Sequence, residues 1–178
     1  MDKTQINKKK KAIVYFFTYA FLGWALETIF CLVTLGTFLK RGFLYGPICP
    51  MYGYAAISMI YFLRKIKSNT ISKFFLCMIL FTIFEYVVAV VLEALFGLKW
   101  WDYSNERFNF QGRISLPYSI AWGIIGVVFV EMIHPRVKKI VEKIENKINL
   151  KVFNILLYFI ICIYFLDTVL SVIKYIRM

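Results

Sequence analysis

Apolar runs long enough to cross a bilayer dominate this chain, and four of the five contain a carboxylate. The runs are Ala12–Thr34 with Glu27, Phe43–Leu63 without charge, Phe74–Leu98 with Glu85 and Glu93, Ile114–Ile133 with Glu131 near its end, and Val152–Ile173 with Asp167. About 20 helical residues span the ~30 Å hydrocarbon core of a membrane. A carboxylate inside such a helix costs roughly 2.5–3.5 kcal/mol on insertion scales, so it is expected to be paired or functional. The sequence therefore predicts an all-α polytopic membrane protein with five transmembrane helices, forming a single transmembrane domain over residues 1–178.

Composition agrees with this class. Hydrophobic residues make up 61% of the 178, against about 45–50% in soluble domains, and the mean hydropathy is +0.68. Five spans leave no room for a soluble domain. No G-x-x-x-x-G-K-[ST] occurs, so this chain does not itself use ATP through a P-loop.

The net charge of +12 is distributed by topology. Fifteen Lys and Arg fall in residues 1–11, 64–73 and 136–151, and seven fall in the other inter-span segments and at the C-terminus. The positive-inside rule then puts the N-terminus in the cytoplasm and the C-terminus outside the cell membrane. Membrane lipid, not nucleic acid, is the expected partner of the basic surplus. Lys8–Lys11 before an apolar run imitates a signal peptide, but the run is too long for an h-region and no small-x-small site follows, so it is expected to be retained. Cys31, Cys49, Cys77 and Cys162 show no C-x-x-C spacing and read as packing residues. No metal-ligand set or cofactor motif is present, and no internal repeat is expected.

Irregularity is expected at the start of the second span, Arg41-Gly-Phe-Leu-Tyr-Gly-Pro-Ile-Cys-Pro-Met-Tyr-Gly53. Pro47 and Pro50 remove backbone donors, so the span should open with a broken or re-entrant segment. The loop Lys99–Arg113, KWWDYSNERFNFQGR, is aromatic and charged and suits the outer membrane interface. His134-Pro135 is expected to end helix four. Val137, Ile140, Val141, Ile144 and Ile148 then predict a cytoplasmic amphipathic helix between spans four and five, serving as a surface anchor or a docking helix. Glu131 is expected to snorkel or to pair with Arg136.

Counted at 1.5 Å per residue from the outer ends, Glu27, Glu93 and Asp167 lie about 8–10 Å deep and Glu85 about 20 Å deep. Arg41 and Arg113 start spans at the outer boundary and are each expected to pair with Glu27, Glu85, Glu93 or Asp102, since a guanidinium grips a carboxylate in bidentate fashion. Two readings stay open: a structural ion-pair network, or an outward-opening polar pocket for a substrate, ion or proton. The candidate pocket residues are Glu27, Arg41, Glu85, Glu93, Trp101, Asp102, Tyr103, Asn109 and Arg113.

Several blocks carry a resemblance. Gly23-Trp24-Ala-Leu-Glu27, the Arg41–Gly53 segment, Glu85, Leu92-Glu93 with Phe96-Gly97, Trp101-Asp-Tyr-Ser104, Asn109-Phe-Gln-Gly-Arg-Ile-Ser-Leu116 and Ser119-Ile-Ala-Trp-Gly123 resemble, in order and spacing, the Putative ABC-transporter type IV family of bacterial membrane proteins, the CmpB-like permeases. The match runs from about Tyr15 to about Gly126 and leaves out Asp167. This chain has Lys40 where the family pattern has Asn, and lacks its Pro near Arg107. The resemblance implies a permease-like subunit. Five helices are few for alternating access, so a homo-oligomer or a separate ATPase subunit is expected as partner. Two alternatives from other classes are an intramembrane enzyme acting on a lipid-linked substrate through paired acids, and a membrane scaffold or sensor.

Overall fold

The computed structural model describes residues 6–63 and 69–177. Lys3, Arg64, Lys65 and Lys67, which carry part of the charge asymmetry, lie outside the described residues. The chain is helical almost throughout: α1 (Lys8–Leu35), α2 (Pro50–Leu63), α3 (Thr70–Phe96), α4 (Leu116–Val128), a π-helical turn (Phe129–Ile133), α5 (His134–Glu145) and α6 (Leu150–Ile176). Between α3 and α4 lie two short strands, β1 (Asn109–Phe110) and β2 (Ile114–Ser115).

The long helices overrun their apolar cores because polar residues cap them. The side chains of Asn7, Asn69 and Asn149 accept from the backbone N–H groups of Lys9, Ser72 and Lys151. Such caps satisfy donors that have no partner inside the helix, so the helix continues into its charged flank. At the other end α1 and α3 both stop at a left-handed glycine, Gly36 and Gly97, whose N–H returns to Leu32 and Glu93.

Among the described residues, four helical stretches are long and apolar enough to cross a membrane: Lys8–Leu35, Thr70–Phe96, Leu116–Glu145 and Leu150–Ile176. Their large side chains are widely exposed, with Val33 78% and Phe165 66% accessible, as expected where lipid is the solvent. α2 begins at Pro50, where a missing N–H costs nothing, and its 14 described residues follow the non-helical entry expected for the second span.

One correction concerns His134-Pro135, which does not end the helix. The N–H of His134 bonds to Phe129 O, five residues back, and helical structure runs on from α4 into α5. The wider turn spends one extra residue where Pro135 cannot donate, so the chain passes the proline without a break. α5 keeps the expected amphipathic pattern, with Ile140 and Ile144 exposed.

The chain forms two compact units, 1–57 with 140–178, and 58–139. In the first, α1 meets the start of α2 closely, and Cys49 N–H donates to Ala20 O at 3.0 Å. Tyr19, Ala20, Cys31, Leu44, Ala55, Ala56 and Leu157 are buried. Lys11 pairs with Glu145 at 2.8 Å, and Lys10 donates to Asn154 at 2.6 Å. In the second unit α3 packs along α4. β1 and β2 pair antiparallel, Asn109 opposite Ser115 and Phe110 opposite Ile114. Lys73 binds Glu131 at 2.9 Å with Thr70 beside it, and Arg136 instead donates to Met132 O, so the expected Glu131–Arg136 pair is replaced.

Candidate functional site

The second unit carries the more elaborate polar constellation. Glu93 lies one turn before the end of α3, and Arg113 sits at the end of the tight turn joining β1 to β2. Two guanidinium nitrogens reach one carboxylate oxygen: Nε and Nη2 of Arg113 lie 3.1 and 2.7 Å from Glu93 Oε2. The two side chains are 23% and 31% exposed. Among the described residues no donor reaches Glu93 Oε1. The remaining guanidinium nitrogen of Arg113 donates to Gln111, which also accepts from Tyr86 at 2.9 Å. Trp101 Nε1 donates to Arg113 O at 2.9 Å, fixing the backbone that presents the guanidinium. Ala89, Leu92, Glu93, Lys99, Trp100, Trp101 and Arg113 line a small pocket.

Glu85 is deeper in α3 and only 4% exposed. Tyr103 O–H donates to Oε1 at 3.0 Å, and Trp122 Nε1 of α4 donates to Oε2 at 3.2 Å. The Tyr103 ring stacks on Tyr118, 4.4 Å between centroids. Glu85 is thus held by two neutral aromatic donors and, among the described residues, forms no ion pair.

Two of the expected pocket residues act inside the loop. Asp102 accepts from both the N–H and the hydroxyl of Ser104. The Ser104 hydroxyl is the larger cause and its N–H the next in holding the Asp102 carboxyl below the usual range. Asn109 donates to the carbonyls of Ser104 and Glu106 and accepts from Gly112 N–H. The backbone closes the loop with Tyr103 N–H on Gly112 O at 2.7 Å. Gly112 has φ +67°, and a Cβ there would lie 2.6 Å from Asp102 Oδ1, so the turn requires glycine. Asp102 and Asn109 therefore build the frame that aims Arg113.

Glu27 and Arg41 lie in the first unit, and they do not pair. Tyr52 O–H donates to Glu27 Oε1 at 2.8 Å. Arg41 Nε donates to Cys31 Sγ at 2.7 Å, and among the described residues Arg41 makes no ion pair. This corrects the expectation that Arg41 meets a carboxylate. Cys31 is one helical turn nearer the end of α1 than Glu27 on the same face, so the guanidinium meets sulfur first. Asp167 of α6 has a different task. Its Oδ1 and Oδ2 accept from Tyr45 N–H and Gly46 N–H, each at 2.8 Å, and Oδ1 also accepts from Ser171. These donors belong to the non-helical stretch before α2, which has no ladder of its own, and backbone at membrane depth must find such partners.

Sequence reasoning missed Tyr52, Trp122, Lys99, Trp100 and Cys31. The aromatic–Gly pairs Tyr52-Gly53 and Trp122-Gly123 were the available signal, since each glycine lets its helix approach the helix that carries the acid.

The chain matches the model of the family described as Putative ABC-transporter type IV over residues 14–172. The match extends past Gly126 and includes Asp167, so the recognisable region is wider than the motif blocks alone indicate. No curated protein and no solved structure matches the chain. The apolar helices make it a multi-pass membrane protein, and the chain belongs to the Putative ABC-transporter type IV family.

Proposed function

We propose that this chain is a permease-like subunit whose working site is the polar pocket at the end of α3, open to the extracytoplasmic side. One observation carries the reading: Arg113 occupies a single oxygen of Glu93, and that carboxylate lines a pocket with Lys99, Trp100 and Trp101. A purely structural ion pair gains most when both carboxylate oxygens are used. A half-used carboxylate beside two indoles and an ammonium suits a polar or zwitterionic substrate group. Trp101 lines this pocket, and Asp102 and Asn109 frame the loop that presents Arg113.

The family supports a separate ATPase as partner, because this chain has no nucleotide motif. The distribution of Lys and Arg supports a cytoplasmic N-terminus, an outer C-terminus and contact with anionic lipid at α5. A homo-oligomer would supply the further helices that alternating access needs. A second reading is favoured by Lys99 and Arg113 lying beside paired indoles, a lining that also suits the anionic head group of a lipid-linked substrate.

The test is Glu93→Gln, read out as cellular transport or growth complementation together with thermal stability in detergent. Glutamine keeps an acceptor for Arg113 and removes the charge. The proposal expects activity lost with the melting temperature nearly unchanged. A markedly destabilised variant whose folded fraction stays fully active would overturn it in favour of a scaffold role.

A further inference from the structure

Against the expectation of no internal repeat, the two units contain helix pairs with matching spacings. Phe16 and Glu27 of α1 are eleven residues apart, as are Phe74 and Glu85 of α3, and each phenylalanine begins a Phe-Phe pair. Along the second helix of each pair and the segment leading into it, Gly42, Pro47, Tyr52 and Gly53 stand 70 positions before Gly112, Pro117, Trp122 and Gly123. The contacts agree one by one. Tyr52 donates to Glu27, and Trp122 donates to Glu85. A Cβ on Gly53 would lie 2.6 Å from the Phe16 ring, and one on Gly123 would lie 2.6 Å from the Phe74 ring. Gly23 of α1 faces the Tyr52 ring, and its counterpart Phe81 stacks on Trp122 at 5.4 Å. Gly42 and Gly112 both have positive φ, +89° and +67°. Three matched contacts and one shared backbone conformation, in two registers, are not a coincidence of composition.

The copies differ in length between acid and aromatic donor: 25 residues from Glu27 to Tyr52, and 37 from Glu85 to Trp122. The twelve additional residues fall in the stretch holding the end of α3, Glu93 and the Trp-Trp-Asp-Tyr loop. What the copies share is therefore not the Glu93–Arg113 pair. It is a carboxylate within an apolar helix, gripped by an aromatic donor from the following helix and, among the described residues, joined to no cationic side chain. Negative charge in such a place is compensated by something bound.

We propose that residues 16–56 and 74–126 are two copies of one repeat, and that Glu27 with Tyr52 and Glu85 with Trp122 are equivalent sites, each taking one small cation, a proton or a sodium ion. This stands apart from the reading of the Glu93 pocket, and either can fail alone. Neutral aromatic donors favour this chemistry. They orient the carboxylate without neutralising it, and they leave a lone pair for the incoming charge.

The test is infrared difference spectroscopy of the full chain in vesicles, following the carboxyl carbonyl bands on moving from alkaline to weakly acidic buffer, and separately on replacing choline with sodium at constant ionic strength. The expected result is a band that loses about half its intensity in Glu27→Gln or in Glu85→Gln, disappears in the double variant, and persists in Glu93→Gln. Tyr52→Phe and Trp122→Phe should each shift it, which keeps the proposal testable if a Gln variant fails to fold. A response to acidification alone assigns the proton, and a response to sodium alone assigns that ion. A band abolished by only one of the two Gln substitutions, or untouched by both, overturns the equivalence.

Discussion

Asp167 shows how one carboxylate can replace a missing turn of helix. Its two oxygens take the N–H groups of Tyr45 and Gly46, in a stretch where Pro47 and Pro50 prevent regular pairing. Gly46 lets the carboxylate come close, since a Cβ there would sit 3.0 Å from Oδ2. Each N–H left without an acceptor away from water costs about 1–3 kcal/mol. Asp167→Ala should therefore destabilise the protein by about 3 kcal/mol, and Asp167→Asn, which keeps one acceptor, by roughly half that. Thermal unfolding in detergent measures both. The presence of Asp167 in an apolar run was plain in the sequence, but its role was not. A depth count places a carboxylate along its own helix and says nothing about which backbone, 121 residues away, comes to meet it. The same limit applies to Arg41, whose nearest partner was a cysteine that charge-based reasoning does not consider. Glu93 with Arg113 was legible because opposite charges at one boundary have few other options.

At the scale of elements, the two helix pairs depend on glycines that admit an aromatic ring. Gly53 faces both the ring and the carbonyl oxygen of Phe16, the latter at 2.9 Å from a would-be Cβ, whereas Gly123 faces only the Phe74 ring. A ring can rotate aside, but a helical carbonyl cannot. Gly53→Ala should cost more than Gly123→Ala, with values in the overpacking range of about 1–3 kcal/mol. Equal costs for the two would show that the α1 backbone yields as readily as a side chain. Helix identity was easy to read, because long apolar periodless runs admit few other structures. Helix ends were not, since Asn7, Asn69 and Asn149 look like ordinary polar flank until their side chains are seen on backbone N–H groups. The passage through Pro135 was hidden for a related reason. A proline signals a lost donor, and only the three-dimensional path reveals a π turn absorbing the loss.

For the whole molecule, the lengths of the helices set a relation to the bilayer. α1 has 28 residues and α3 and α6 have 27 each, about 40 Å at 1.5 Å per residue, against ~30 Å of hydrocarbon. Overshoot is relieved by tilt or by local thickening of the lipid. The protein should therefore gain stability as the acyl chains of a reconstituted bilayer are lengthened from short toward the length of these helices, with the melting temperature rising; a fall over that range would contradict this. Such a mismatch makes the lipid a mechanical component. Tension, sterol-like ordering or a change in acyl composition would change the tilt of the long helices without any ligand touching the protein.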